Sequence, residues 1–79
     1  MKTFLELTWT DDDNFQHKEI INVNNIEKIY ISLPDETEIS VSENVNGKRR
    51  KFRMCFEDKG KCFSEFSRIC RALCGGLYD

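Results

Sequence analysis

The sequence predicts an α+β fold, an antiparallel, strongly curved sheet of about five strands with one C-terminal amphipathic helix packed on it. Three observations carry that prediction. The first two-thirds of the 79 residues alternate apolar and polar positions with period two. Asn46-Gly47 interrupts the alternation with a residue pair typical of a two-residue hairpin. Residues 61–74 then switch to the 3.6-residue period of a helix.

Leu5, Leu7 and Trp9 alternate with Glu6, Thr8 and Thr10, as a half-buried strand does. Asp11-Asp12-Asp13-Asn14 is a loop, because adjacent carboxylates repel and have poor strand propensity. Ile20, Ile21 and Val23 mark a second strand of open register, since Ile20 and Ile21 face opposite ways. The asparagines of 22–25 suggest a turn. Ile29, Ile31 and Leu33 alternate with Lys28, Tyr30 and Ser32 as a third strand. Pro34-Asp35 ends it, because proline offers no donor to a ladder.

A two-residue loop at Asn46-Gly47 fixes the register of the last two strands. It pairs Val45 with Lys48, Glu43 with Arg50, Val41 with Phe52 and Ile39 with Met54 on one face. The other face pairs Asn44 with Arg49, Ser42 with Lys51 and Ser40 with Arg53. Apolar then meets apolar and acid meets base, and a slip of one residue would scramble both. In the helix, Cys62, Phe63, Phe66, Ile69, Cys70, Leu73 and Cys74 fall on one arc. Lys61, Ser64, Glu65, Ser67, Arg68 and Arg71 occupy the rest. Gly75-Gly76 is a left-handed stop, and Arg68 and Arg71 suit the negative helix end.

The length implies one domain over 1–79, with sheet over 1–57 and helix over 61–74, and a thin core. Nine aromatics argue against disorder. The start lacks the unbroken apolar run of a signal peptide, and no stretch is long enough to span a bilayer. These features predict a cytoplasmic protein without membrane partners, its four cysteines reduced.

The charge is divided at the hairpin turn. Residues 1–47 hold ten Asp/Glu and three Lys/Arg, a balance of −7. Residues 48–79 hold nine Lys/Arg and four Asp/Glu, a balance of +5, so the net −2 hides two opposed parts. Such asymmetry speaks to partners and steering. The candidate partner-binding residues are Asp11, Asp12 and Asp13 in the acidic part. In the basic part they are Lys48, Arg49, Arg50, Lys51, Arg53, Arg68 and Arg71, with Lys61 beside them. The basic hairpin strand and the basic side of the helix could form one surface for phosphates or an acidic protein. A plainer reading makes 48–53 an edge strand guarded by charge. Tyr30, on the outward side of strand three, joins the candidates because tyrosine is enriched at binding hot spots.

No motif predicts catalysis, a cofactor or a metal. Cys55, Cys62, Cys70 and Cys74 lack the C-x-x-C spacing of zinc knuckles, and three of them lie on the apolar helix arc. Core thiols are the simpler reading than a site built on Cys70 and Cys74 or a disulfide. His17 has no nucleophile in a recognisable motif nearby. The Asp11–Asn14 run is followed by Phe15 and lacks the glycine and distal glutamate of a calcium loop.

Residues 5–47 resemble the FlbD-like group of small bacterial flagellar proteins, with similar short chains encoded by phages. The residues that carry the resemblance are Leu7-Thr8, Ile21-Asn22, Ile26-Glu27 with Ile29, Pro34-Asp35 with Thr37 and Ile39, and Gly47. Where that group continues into a short V-x-E-S segment and a helix, this chain has an extra basic strand and a longer, cysteine-containing helix. The resemblance implies a small β-rich accessory domain and, by extension, a flagellar accessory role.

The leading functional expectation is a small non-enzymatic interaction or inhibitor protein. It would bind a larger protein or ribonucleoprotein through charge-segregated surfaces. By analogy it is a phage or mobile-element modulator of a host nucleic-acid-handling or defence system, in the manner of an anti-CRISPR protein. The acidic part could mimic a phosphate backbone, or the basic hairpin could dock on an acidic patch. The alternatives are a nucleic-acid binder using 48–53 and a homodimer formed through a free strand edge.

Overall fold

The computed structural model describes residues 4–74. Its elements are β1 (Phe4–Thr10), β2 (Gln16–Asn22), a 3-10 turn (Val23–Asn25), β3 (Ile26–Ile31), β4 (Glu38–Val45), β5 (Lys48–Cys55) and α1 (Lys59–Cys74). The five strands form one antiparallel sheet in the order β2-β1-β5-β4-β3, and the helix follows the sheet in sequence.

The β4–β5 hairpin has the register the turn chemistry demands, from Val45 opposite Lys48 to Ile39 opposite Met54. Asn46 has φ of 52° and Gly47 of 89°, the positive values a type I′ turn requires at both central residues. The Asn44 side chain accepts a hydrogen bond from the Gly47 amide at 2.9 Å, which further fixes the turn.

β1 and β2 pair throughout, from Phe4 opposite Asn22 to Thr10 opposite Gln16. Their register resolves the ambiguity at Ile20-Ile21. Ile21 lies opposite Leu5 and is buried, whereas Ile20 is 67% exposed. The asparagine run turns as expected, the Asn22 side chain accepting from the Asn24 amide. The third strand is shorter than its alternation suggests. It ends at Ile31, and Leu33 is 76% exposed. The backbone there is diverted by the turn that joins β3 to β4, where the Ser32 amide donates to the Glu38 carbonyl and the Glu36 amide to the Ser32 carbonyl.

The core forms on one face of the sheet. Leu5, Leu7, Ile21, Ile39, Val41, Phe52 and Met54 are buried there with Cys62 and Ile69 of α1. The helix begins two residues earlier than the apolar period indicates, because Asp58 caps it. Its carboxylate accepts from the Lys61 amide at 2.8 Å. The predicted arc is wider than the surface it covers. Cys62 and Ile69 are buried, while Phe63 at its edge is 46% exposed. Arg68 ties the helix to the sheet by donating from Nη2 to the Glu6 carbonyl at 2.8 Å. Gly75-Gly76 lies outside the described residues.

The edge-strand reading of 48–53 is corrected at Arg53, where β5 pairs with β1, but not over 48–52. β5 lies between β4 and β1, and β2 and β3 are the edges. β1, however, meets β5 only through Thr10 opposite Arg53. No helix among the described residues is long and apolar enough to cross a membrane.

Candidate partner-docking face

Strand alternation divides the charged residues between the two faces of the sheet. Phe52 and Met54 point into the core, so Arg49, Lys51 and Arg53 point outward. On β4, Ile39 and Val41 point in, so Ser40 and Ser42 point out. On β3, Tyr30 and Lys28 lie opposite Ser40 and Ser42 and share the outward face. The pairings align these side chains in rows across the sheet. One row runs Tyr30, Ser40, Arg53, Thr10, and the next runs Lys28, Ser42, Lys51.

Tyr30 is the centre of this face. The Lys28 Nζ lies 5.3 Å and the Lys51 Nζ 5.5 Å from its ring centroid, within cation–π range. Lys51 first and then Ser40, with the charges of both lysines, hold the phenol below its ordinary pKa. Ser40, between Tyr30 and Arg53 in its row, is 2% exposed. Beside the row lies an open depression of about 570 Å³, lined among others by Thr10, Asp11, Asp12, Lys51 and Arg53. The face therefore joins the tip of the acidic loop to the outward side of the basic strand.

The linear charge division does not become two opposed surfaces. Among the described residues, five ion pairs join one part of the chain to the other. Arg49 meets Glu27 at 3.2 Å, Arg50 meets Glu19 and Glu43, Arg53 meets Glu38 at 3.9 Å, and Lys59 meets Glu36 at 3.9 Å. The physical reason is the strand order, which sets the basic strand beside β4 and brings Glu27 of β3 and Glu19 of β2 within reach of its arginines. Among the described residues, Lys28, Lys48 and Lys51 have no carboxylate within 4 Å, and all three are exposed. Two of these unpaired cations, Lys28 and Lys51, flank Tyr30.

Arg50 stands apart from its neighbours. It points to the core side, where its Nε donates to Glu43 at 3.0 Å and its guanidinium lies 4.7 Å from the Phe52 ring centroid. The Glu43 side chain is only 4% exposed, so Arg50 is the counter-charge of a buried carboxylate. Asp11 is likewise committed. Its Oδ1 accepts from the amides of Asp13 and Phe15, and its Oδ2 lies 2.8 Å from His17 Nε2. The His17 bond, followed by the Phe15 amide, lowers the Asp11 pKa. His17 in turn stacks on Trp9 with ring centroids 4.6 Å apart. Asp12 and Asp13 remain exposed at the loop tip.

Arg68 is held by Glu65 and the Glu6 carbonyl, and Arg71 is exposed on the helix. The helix packs on the core side of the sheet, so neither joins Arg49, Lys51 and Arg53 in one basic surface. The expectation of a continuous basic surface is corrected accordingly. The signal for the docking face was available in period-two alternation, which puts Lys28 and Tyr30 on one side. Their approach to Lys51 depends on β3 pairing with β4, which local sequence does not encode.

The cysteines are free thiols, and burial pushes Cys55, Cys62 and Cys70 above the ordinary thiol pKa. Raised values disfavour the thiolate that nucleophilic or metal chemistry uses. Among the described residues, no three His, Cys, Asp or Glu side chains are grouped to hold one ion. Compared with protein-family models, curated proteins and solved structures, the chain matches none of them.

Proposed function

We propose that this chain is a non-catalytic interaction protein that docks the outward face of its sheet on an acidic surface of a larger protein. The observation that carries the reading is the pair of lysines flanking Tyr30. Both ammonium groups lack a carboxylate partner among the described residues, so both are available to an incoming one. A tyrosine ring supplies contact area at low entropic cost, and the cations around it select an acidic partner. The short side chains of Ser40, Ser42 and Thr10 keep the rows between the cations low, so a flat surface can approach. Occupying a host protein in this way would inhibit it, which extends the reading by analogy to a phage or mobile-element modulator.

One observation favours a second reading, single-stranded nucleic acid. Tyr30 offers the outward aromatic ring that Phe52 cannot, and a base could stack on it among the lysines. The net charge of −2 opposes this, since nucleic-acid binders are usually basic. Anisotropy titrations with a labelled glutamate-rich peptide and a single-stranded oligonucleotide of equal charge separate the two. Tighter peptide binding that weakens with salt supports the protein partner. Tighter oligonucleotide binding supports the second reading, and no binding of either at low salt removes both.

A further inference from the structure

Two-residue hairpin geometry fixes where each backbone group of β5 points. The closing pair of such a hairpin, Val45 and Lys48, exchanges both of its hydrogen bonds. Alternation then directs the amides and carbonyls of Lys48, Arg50, Phe52 and Met54 toward β4. Those of Arg49, Lys51 and Arg53 point the other way. Arg53 finds Thr10 of β1 there. Beyond Thr10 the chain leaves the sheet into the Asp11–Phe15 turn, closed by the Asp11 amide on the Phe15 carbonyl. Arg49 and Lys51 are left with no backbone partner on that side among the described residues. Lys48, Arg49, Arg50 and Lys51 are all exposed, consistent with an open half-edge inside the strand order.

We infer that this half-edge of β5, residues 48–52, accepts an acidic extended segment of the partner as an added strand. The inference rests on the acidic-partner reading above and adds the mode of contact. An unpaired row of backbone donors and acceptors is a template for strand addition. The side chains beside the row choose the guest. An added strand would have Arg49 and Lys51 beside it on the outward face and Lys48 and Arg50 on the other. Opposite charges across a strand pair are favourable and like charges are unfavourable. Lys48 and Lys51, which have no carboxylate partner among the described residues, and the exposed Arg49 therefore favour a glutamate-rich or aspartate-rich strand, while Arg50 stays with Glu43 and Glu19. The same cations reject a second copy of β5, which would set Lys and Arg against Lys and Arg. The guest lies next to Lys51, whose row leads through Ser42 to Lys28 beside Tyr30, so one partner can use the edge and the face together.

The test is residue-resolved amide hydrogen exchange on the full chain, free and with a blocked peptide of about ten residues alternating glutamate and threonine. In the free protein the Arg49 and Lys51 amides should exchange fast, while those of Arg50 and Phe52 are protected by β4. Saturating peptide should slow Arg49 and Lys51 by at least about tenfold. Protection of these two amides in the free protein overturns the inference, because the edge is then closed. Peptide binding that shifts the resonances of Lys28, Tyr30 and Arg53 without slowing Arg49 and Lys51 also overturns it, yet leaves the docking face standing. No binding at low salt overturns both readings together.

Discussion

Replacing Arg50 with methionine should destabilise the fold more than any other single charge removal. Glu43 is the reason. Its side chain is 4% exposed, and Arg50 approaches it through Nε at 3.0 Å and Nη2 at 2.9 Å. Removing one partner of a buried pair leaves an uncompensated charge, which costs about 3–5 kcal/mol when both groups are fully buried. Here the Arg50 side chain is 50% exposed, so water can reach part of the orphaned carboxylate. The expected cost is therefore lower, about 2–3 kcal/mol. In a domain of this size that corresponds to a Tm lower by roughly 10–20 °C. The double variant Glu43→Leu/Arg50→Met should recover most of the loss and fall within about 1 kcal/mol of the parent, because the penalty belongs to the unpaired charge. Urea and thermal denaturation of the parent, both single variants and the double variant give the complete cycle. An Arg50→Met cost below about 0.5 kcal/mol would refute the reasoning, as would a double variant no more stable than Arg50→Met.

Three further outcomes are expected. Gly47→Ala should cost about 1–2 kcal/mol in urea denaturation, because φ of 89° strains any L side chain although no neighbouring atom lies within 4 Å of the added Cβ. Asp58→Ala should cost about 1 kcal/mol and raise exchange at the Lys61 amide, since that carboxylate caps the helix. Asp11 has a pKa below the ordinary 3.8 through His17 and the Phe15 amide, so its contribution is complete above that value and is lost as pH falls through its folded pKa. Acid denaturation followed by circular dichroism should therefore show a shallower loss of stability below about pH 4 in Asp11→Asn.

The hairpin was fully legible because Asn46-Gly47 specifies a backbone conformation, and the register of eight residue pairs follows from it. The helix was legible from its period, but its start was not, since Lys59-Gly60 resembles a break and only the Asp58 cap extends the helix back to Lys59. Leu33 misled for a related reason. Its spacing from Ile31 fits a strand, yet the Ser32–Glu38 turn removes it from the ladder. The charge pattern misled most. Linear distance separates Glu19 and Glu27 from Arg50 and Arg49, and only the strand order brings them together. Of the candidate residues, Tyr30, Lys51 and Arg53 converge on one face. Arg50 and Asp11 became structural, and Arg68 a helix tether.

The central claim is that position on the outward face, and not net charge, governs binding. The most direct test compares two double reversals of equal charge change, Lys28→Glu/Lys51→Glu on the face and Lys59→Glu/Lys61→Glu at the start of the helix. Affinity for the same labelled glutamate-rich peptide is measured at low salt. The account predicts a loss of at least about tenfold for the first pair and less than about threefold for the second. Equal losses for both pairs would contradict it.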